Sequence, residues 1–315
     1  MKLFMSIVAT FLLAILCIFV YAQKVNHEST PVPKYTIGVV LKAMDSEHWL
    51  AVRSSMQKVA QANNLNLIVM YAQEESAYDE QNKIIEDLLN NGVDAILISS
   101  CNIYKSDDYL ALAKQKHIPV FSLDERLPNV PYIGSNNYEI GKKAAMYMSE
   151  HLPSGSEVGV IAGSSTQDAH ILRMRGFKDY IASDGRLKVN ECLADDTKYR
   201  QATIQTEKLL KDYPKTKGIF VTSAIMALGT IEVTDKLPQH IQIVGVDTQN
   251  DAIMAVKNGK IDMMIAQDGH ETGALAIKVV MDYLVNNKQP PANSYIQNDL
   301  ITIDNADNYL LQEDF

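Results

Sequence analysis

Short apolar runs rich in β-branched residues alternate with amphipathic stretches from Tyr35 onward. In the stretch WLAVRSSMQKVAQANN, Leu50, Met56 and Ala60 recur at near-helical spacing, which predicts an amphipathic helix. A second stretch, YDEQNKIIEDLLNNG, predicts another helix that closes at Gly92. The apolar runs predict strands at Thr36–Leu41, Leu65–Tyr71, Asp94–Ser99, Ile118–Leu123, Glu157–Gly163, Lys217–Thr222, Ile241–Val246 and Ile261–Gln267.

Near-continuous apolar strands joined by helices predict parallel sheets that are covered on both faces. A chain of 315 residues exceeds the usual size of one hydrophobic core, so we expect two lobes. The stretch PYIGSNNYEIGKKAA ends the first run of strand and helix units and starts a second, which places the end of one lobe near Ser135. The predicted fold class is therefore α/β, with two doubly wound parallel-sheet lobes.

The first residues form a separate apolar segment. Residues 1–22 contain one lysine followed by a nearly uninterrupted apolar run, long enough for a bilayer core of about 30 Å. Val20, Tyr21 and Ala22 supply the small-residue pattern of a signal-peptidase site, which favours cleavage and export. The length of the run equally favours an uncleaved membrane anchor, and both interpretations stay open. Residues 23–34 are predicted to be a polar tether. Because a signal peptide and an anchor both direct the following chain across the membrane, the folded part is expected outside the cytoplasm.

Composition and motifs exclude several function classes. A net charge of -9 argues against a nucleic-acid partner, and the chain lacks HExxH, paired CxxC, GxSxG and strand-linked GxGxxG motifs. We therefore expect neither a metal nor a cofactor. His48, His170 and His270 have no metal-ligand spacing and are expected at the surface or at the rim of a site. Cys101 and Cys192 are expected as buried free thiols in different lobes.

Polar side chains follow the predicted strands at the ends where ligands bind in parallel sheets. Asp124, Asp247 and Gln267 offer carboxylate and amide groups that pair with hydroxyls, and Arg173 offers a forked donor. Trp49 offers an aromatic face for a C–H patch. Each residue has a simpler interpretation, because an aspartate after a strand often caps the next helix and a tryptophan often holds a helix on the sheet. The combination nevertheless predicts a site for a polyhydroxylated ligand.

From Thr36 onward the chain resembles the type I periplasmic sugar-binding proteins. This ribose- and galactose-binding group shares its two-lobed core with LacI-type repressors. The resemblance covers roughly Tyr35 to Asn305. Its landmarks are TIGVVLKAMDSEHW, IPVFSLDER, YIGSNNYEIGKKAA, RMRGF, IFVTSAIMALG, IVGVDTQNDAIMAVKNGKI and IAQDGHETG.

The resemblance implies two lobes that close around a ligand through a hinge with three crossings. These crossings would lie near Ser135, Ala266 and Asn298. The implied bounds are 35–135 plus 267–298 for the N-terminal lobe and 136–266 plus 299–315 for the C-terminal lobe.

Sugar contacts of the family, transferred position by position, fall in both halves of the chain. They are Lys42, Ser46, His48, Trp49 and Asp124 in the first half, and Arg173, Ser223, Asp247 and Gln267 in the second.

Three departures from the ribose-binding pattern leave the sugar open. Glu125 stands where the pattern has arginine, Ser223 and Ala224 stand where it has Asn-Asp, and His48 takes the place of an aromatic residue. A pentose, a hexose or a related polyol therefore remains compatible with the site.

The predicted function is an extracytoplasmic receptor that closes on a monosaccharide and presents it to an ABC-type permease. The alternative is a membrane-anchored sugar sensor that works with a histidine kinase. A repressor built on the same core would need a DNA-binding headpiece where this chain has residues 1–34. A sugar hydrolase would use Asp124 and Asp247 as an acid/base pair, and we expect no such enzyme activity.

Overall fold

The fold is described from a computed structural model of the chain. The structure describes residues 34–44, 46–194 and 196–310, and it describes only the backbone of residues 191–194. Residues 1–22, the predicted signal peptide or anchor, lie outside this part, as do residues 23–33 of the predicted tether. Within the described part, none of the helices combines the length and the apolar character of a membrane span.

The strands of the described residues form two sheets. They are β1 (Thr36–Leu41), β2 (Asn66–Tyr71), β3 (Ala95–Ile98), β4 (Val120–Leu123), β5 (Tyr132–Gly134), β6 (Glu157–Ala162), β7 (Lys188–Ala194), β8 (Thr216–Val221), β9 (Gln242–Val246), β10 (Met263–Ile265), β11 (Asn293–Tyr295) and β12 (Leu300–Ile301). The sheet of the first lobe has the order β11-β5-β4-β3-β1-β2, and that of the second lobe has the order β12-β10-β9-β8-β6-β7. Neighbouring strands are parallel except for β12, which pairs antiparallel with β10.

Helices cover both faces of each sheet. They are α1 (Glu47–Ala62), α2 (Tyr78–Asn90), α3 (Asp107–Gln115), α4 (Asn137–His151), α5 (Asp168–Asp184), α6 (Tyr199–Asp212), α7 (Ala224–Thr234), α8 (Asn250–Lys257) and α9 (Gly269–Asn286). Alternating side chains of β1 supply both layers, because Val39 packs with Met56 of α1 while Val40 packs with Ile85 of α2. This arrangement is the predicted doubly wound α/β architecture.

Each predicted strand position contains a strand, and the two predicted helices correspond to α1 and α2. The apolar pattern did not reveal β5, β7, β11 or β12. Strands β11 and β12 have only three and two residues, and β7 is interrupted by polar residues. Because β7, β11 and β12 lie at sheet edges, they need no continuous apolar run.

Close contact between α4 and α5 depends on two glycines. A Cβ atom at Gly141 would lie 1.9 Å from the carbonyl oxygen of Arg173, and one at Gly176 would lie 2.0 Å from that of Tyr138. Any larger residue would therefore push the helices apart. The contact holds Arg173 beside the start of α4, near the point where the chain enters the second lobe.

The chain passes between the sheets three times, and the three linkers are hydrogen-bonded to one another. The Asn298 Nδ2 group donates to Ser135 Oγ at 2.9 Å and to the Ala266 carbonyl oxygen at 2.9 Å. Gln267 Nε2 also donates to Ser135 Oγ, at 2.8 Å. Ser135, Ala266 and Asn298 were the predicted crossing points, whereas the lobe bounds at single-residue precision stay a prediction.

Candidate functional site

A cavity of about 270 Å³ lies between the lobes, at the carboxyl ends of strands from both sheets. Three of the lining residues directly follow a strand: Lys42 follows β1, Asp124 follows β4 and Asp247 follows β9. The lining includes every residue that the sequence predicted as a ligand contact, namely Lys42, Ser46, His48, Trp49, Asp124, Arg173, Ser223, Asp247 and Gln267.

The two strand-end aspartates share an unusual backbone conformation. Asp124 has a φ of 61° and Asp247 a φ of 87°, both in the left-handed region that aspartate tolerates better than most residues. Asp247 does not cap the helix that follows it, since the N-cap of α8 is Gln249. Its Oδ2 instead accepts from the Ala224 N–H at the start of α7, at 3.4 Å. The backbone thus directs equivalent carboxylates from the two lobes into one cavity.

Arg173 is a buried cation held by three protein acceptors. Its Nε donates to Asn137 Oδ1 at 2.9 Å, and its two terminal nitrogens donate to the Thr222 carbonyl oxygen at 2.7 Å and to Gln267 Oε1 at 2.5 Å. A guanidinium has five N–H groups, so two remain for a ligand. The side chain is only 3% exposed, and its plane is fixed before any ligand enters.

Two polar atoms of the cavity lining are buried and have no hydrogen-bond partner among the described residues. They are Ser223 Oγ and His48 Nδ1. Buried polar atoms are nearly always satisfied, so atoms of this kind on a cavity wall suit a polar ligand. The His48 ring meets the Trp49 ring edge to face at 5.1 Å, and Trp49 both packs in the core and faces the cavity.

Lys42 lies in a buried ionic cluster at the floor of the cavity. Its Nζ donates to Asp124 Oδ2 at 3.3 Å, to Gln167 Oε1 at 3.3 Å and to Glu125 Oε1. Burial disfavours the ammonium, but the carboxylates of Glu125 and Asp124 outweigh burial and raise the pKa of Lys42. Burial also disfavours the Asp124 carboxylate, yet Lys42 and Arg173 lower the pKa of Asp124 to about 2. Asp124 therefore stays an ionised acceptor.

The expectation of a surface or rim position is wrong for His170, which is buried and lines the cavity. Its Nδ1 lies 2.7 Å from Thr222 Oγ1 and its Nε2 lies 3.2 Å from Thr197 Oγ1. Burial, with Arg173 and Lys42 nearby, lowers the pKa of His170 well below its usual range, so the ring is neutral. Periodicity alone could not reveal this, because His170 lies on the face of α5 that turns toward the cleft.

Further lining residues were not predicted from the sequence. They come from loops that follow the edge strands β2 and β7 and from the start of α8. Glu75 could have been found by inspecting the polar residues after the predicted strand that contains β2. The residues after β7 could not be found in this way, because β7 itself was not predicted. These residues are Glu75, Thr197, Lys198, Tyr199 and Gln249.

No group of three or more metal-ligating side chains occurs among the residues that the structure describes. Cys101 is the predicted buried free thiol, and burial raises its pKa to about 12. The side chain of Cys192 lies outside the described part.

Comparison with known proteins identifies the family. The family model described as "Periplasmic binding protein domain" matches residues 37–288. The chain belongs to the periplasmic binding protein family. This family consists of solute-binding proteins that act outside the cytoplasm, and not of enzymes.

Among curated relatives, the ribose import binding protein RbsB of Bacillus subtilis is 26% identical over 258 residues, which cover 81% of this chain and 83% of the relative. A solute-binding protein of Actinobacillus succinogenes, solved with bound D-allose, shares the fold with a TM-score of 0.80 at 23% identity. The alignment covers 88% of this chain and 100% of that one. The XylFII-LytSN complex also contains the fold, with a TM-score of 0.78 at 21% identity and a coverage of 86% and 98%.

Proposed function

We propose that the chain is an extracytoplasmic sugar receptor that closes its two lobes on one monosaccharide and presents it to an ABC-type permease. The observation that supports this most directly is the convergence of Asp124, Arg173, Asp247 and Gln267 on one cavity from both sheets. Carboxylates and amides accept from hydroxyls while the guanidinium donates to them, as a neutral sugar requires. The names of the relatives, which refer to ribose and allose, agree with this chemistry.

The energetics suit a transported solute. Charge-assisted hydrogen bonds contribute roughly 1.5 to 3 kcal/mol each. Three or four of them offset the cost of association and leave a net binding free energy of about 8 kcal/mol, which corresponds to a micromolar dissociation constant. A cavity of about 270 Å³ is small and suits a single sugar ring better than an oligosaccharide.

Closure of the lobes supplies the signal that a membrane partner reads. At the cleft mouth, Lys198 of the second lobe pairs with Glu74 of the first at 3.0 Å. Near the hinge, the Asn250 N–H donates to Glu47 Oε2 at 2.7 Å. Both contacts form only when the lobes are closed. A ligand that joins the lobes therefore favours the closed arrangement and the surface that this arrangement presents to a membrane partner.

The sugar is a pentose, a hexose or a related polyol. Ser223 offers one hydroxyl where the ribose-binding pattern has an amide that both donates and accepts, and His48 presents a narrower aromatic face. These changes alter the number and the direction of hydrogen bonds without removing the acceptors. A sugar that differs from ribose in the position of one hydroxyl group would fit these hydrogen-bonding groups.

The second candidate is a membrane-anchored sensor that passes lobe closure to a histidine kinase. The long apolar run within residues 1–22 favours this candidate, because an uncleaved anchor keeps the receptor beside a fixed partner. Intact-mass measurement of the protein from cells separates the two. A mass that includes residues 1–22 favours the sensor, whereas loss of these residues favours a diffusing transport protein.

A thermal-shift panel tests the proposed function. The purified chain is heated with ribose, xylose, allose, galactose, glucose, fructose and common polyols, and with maltose as a control that exceeds the cavity. We expect one or a few monosaccharides to raise the melting temperature by several degrees and maltose to have no effect. Failure of every monosaccharide and polyol to raise it would refute the proposal.

A further inference from the structure

Glu125 is a buried carboxyl group that the cavity does not expose. It follows Asp124 at the end of β4, it is 0% exposed, and it is absent from the cavity lining. Its Oε1 accepts from Lys42 Nζ, and its Oε2 accepts from the Ala169 N–H at 3.1 Å. Lys42 belongs to the same lobe as Glu125, whereas Ala169 belongs to the other lobe. Glu125 therefore bonds across the cleft without touching the ligand space.

The contact of Glu125 with Ala169 caps helix α5. The first N–H groups of a helix have no partner within it, and its N-terminus attracts negative charge. Gln167, the N-cap residue of α5, makes no side-chain bond to these groups. Glu125 supplies the missing acceptor from the opposite lobe. Because α5 contains Arg173, the cap from across the cleft also fixes the helix that positions this ligand-facing cation.

Lys42 extends the same connection. The three protons of its ammonium have three acceptors, of which Asp124 and Glu125 lie in the first lobe and Gln167 lies in the second. Gln167 in turn donates from its Nε2 to Glu75 Oε2 of the first lobe, at 3.0 Å. These bonds use up the donors of Lys42, so this side chain orients Asp124 and links the lobes more than it serves the ligand.

We propose that Glu125 is a positioning residue of the sugar site, which couples closure of the lobes to the placement of α5 and, through Lys42, of Asp124. The proposal rests on the proposed function for its link to sugar binding, and on the geometry alone for its link to closure. Separation of the lobes would expose the Ala169 N–H and release Lys42 from Gln167, so both bonds report the closed arrangement.

The first experiment needs no ligand. The exchange rate of the Ala169 amide hydrogen is measured by NMR in the chain and in its Glu125→Ala, Glu125→Gln and Glu86→Ala variants. Glu86 is an exposed glutamate of α2 and serves as the matched control. We expect exchange to rise on the order of fivefold to tenfold in Glu125→Ala, the change that a lost helix cap implies. It should rise by a smaller factor in Glu125→Gln, because the amide has one acceptor oxygen for two donors, and stay near wild type in Glu86→Ala. Unchanged exchange in a folded Glu125→Ala variant would overturn the proposal.

The second experiment connects the cluster to the sugar site. Calorimetric titration with D-ribose and D-allose should show weaker binding in Glu125→Ala than in wild type and in Glu86→Ala, and Glu125→Gln, which keeps one acceptor oxygen, should restore part of the affinity. Equal affinities of wild type and a folded Glu125→Ala variant would overturn the coupling. If wild type binds neither sugar, the sugar assignment is weakened, while amide exchange at Ala169 still decides the role of Glu125.

Discussion

The Arg173→Lys substitution probes the cavity most sharply, because it keeps the charge and removes the fork. The guanidinium supplies three bonds to Asn137, Thr222 and Gln267 and leaves two N–H groups for the ligand. A lysine has three protons on one nitrogen and cannot reach these separated acceptors together. Loss of at least one charge-assisted bond to the ligand, at roughly 1.5 to 3 kcal/mol, weakens sugar binding by about 10- to 150-fold.

The same substitution leaves at least one buried acceptor of this group unpaired. An unsatisfied buried acceptor costs about 1 to 3 kcal/mol, which lowers the melting temperature by several degrees in a chain of this size. Calorimetric titration with the sugar that binds wild type most tightly, together with a thermal melt, measures both effects. Arg175→Lys is the control, since Arg175 lies on the same helix but is largely exposed and, among the described residues, forms its ion pair with Asp179 at 3.5 Å. Equal affinities of wild type and Arg173→Lys would refute the assigned role.

Three further substitutions test other parts of the site. Ser223→Ala removes a buried hydroxyl without a partner among the described residues, so stability should stay level or rise while sugar affinity falls about two- to tenfold by titration. Trp49→Leu keeps an apolar side chain but removes the aromatic face, so calorimetry should show weaker binding, and unchanged affinity would exclude stacking. The pKa of Asp124 is about 2, below the ordinary value of about 3.9, so the ionised carboxylate stabilises the fold. This stabilisation is complete above pH 4 and is lost toward pH 2, and thermal melts in acid should show no such loss for Asp124→Asn.

Much of the fold was predictable because buried strands of parallel sheets are apolar along their whole length. The segments TIGVVL and IQIVGV have this pattern, and they contain β1 and β9. The strand β11, with the sequence NSY, carries no such signal, because it is a short edge strand whose side chains contact residues far away in the sequence. Arg126 donates to Asn293 Oδ1 and to the Tyr295 hydroxyl oxygen.

The cavity residues were predictable for a related reason. Parallel strands end at one edge of their sheet, so the positions of Asp124, Asp247 and Gln267 follow once the strands are known. The cluster around Glu125 was not predictable, since its bond to the Ala169 N–H joins residues of different lobes. Sequence spacing contains no information on how two lobes meet, and only the folded chain shows that the departure at Glu125 places a carboxyl group on the end of α5.

Native mass spectrometry tests the central claim most directly, namely that two lobes supply one cavity for one monosaccharide. The chain is measured as isolated from cells, and again after incubation with millimolar amounts of each sugar in the panel. We predict a single adduct with the mass of one monosaccharide or polyol, which the Arg173→Lys variant forms only at higher sugar concentrations than wild type. A chain that stays without an adduct for every sugar, or that retains a ligand of another chemical class, would contradict the claim.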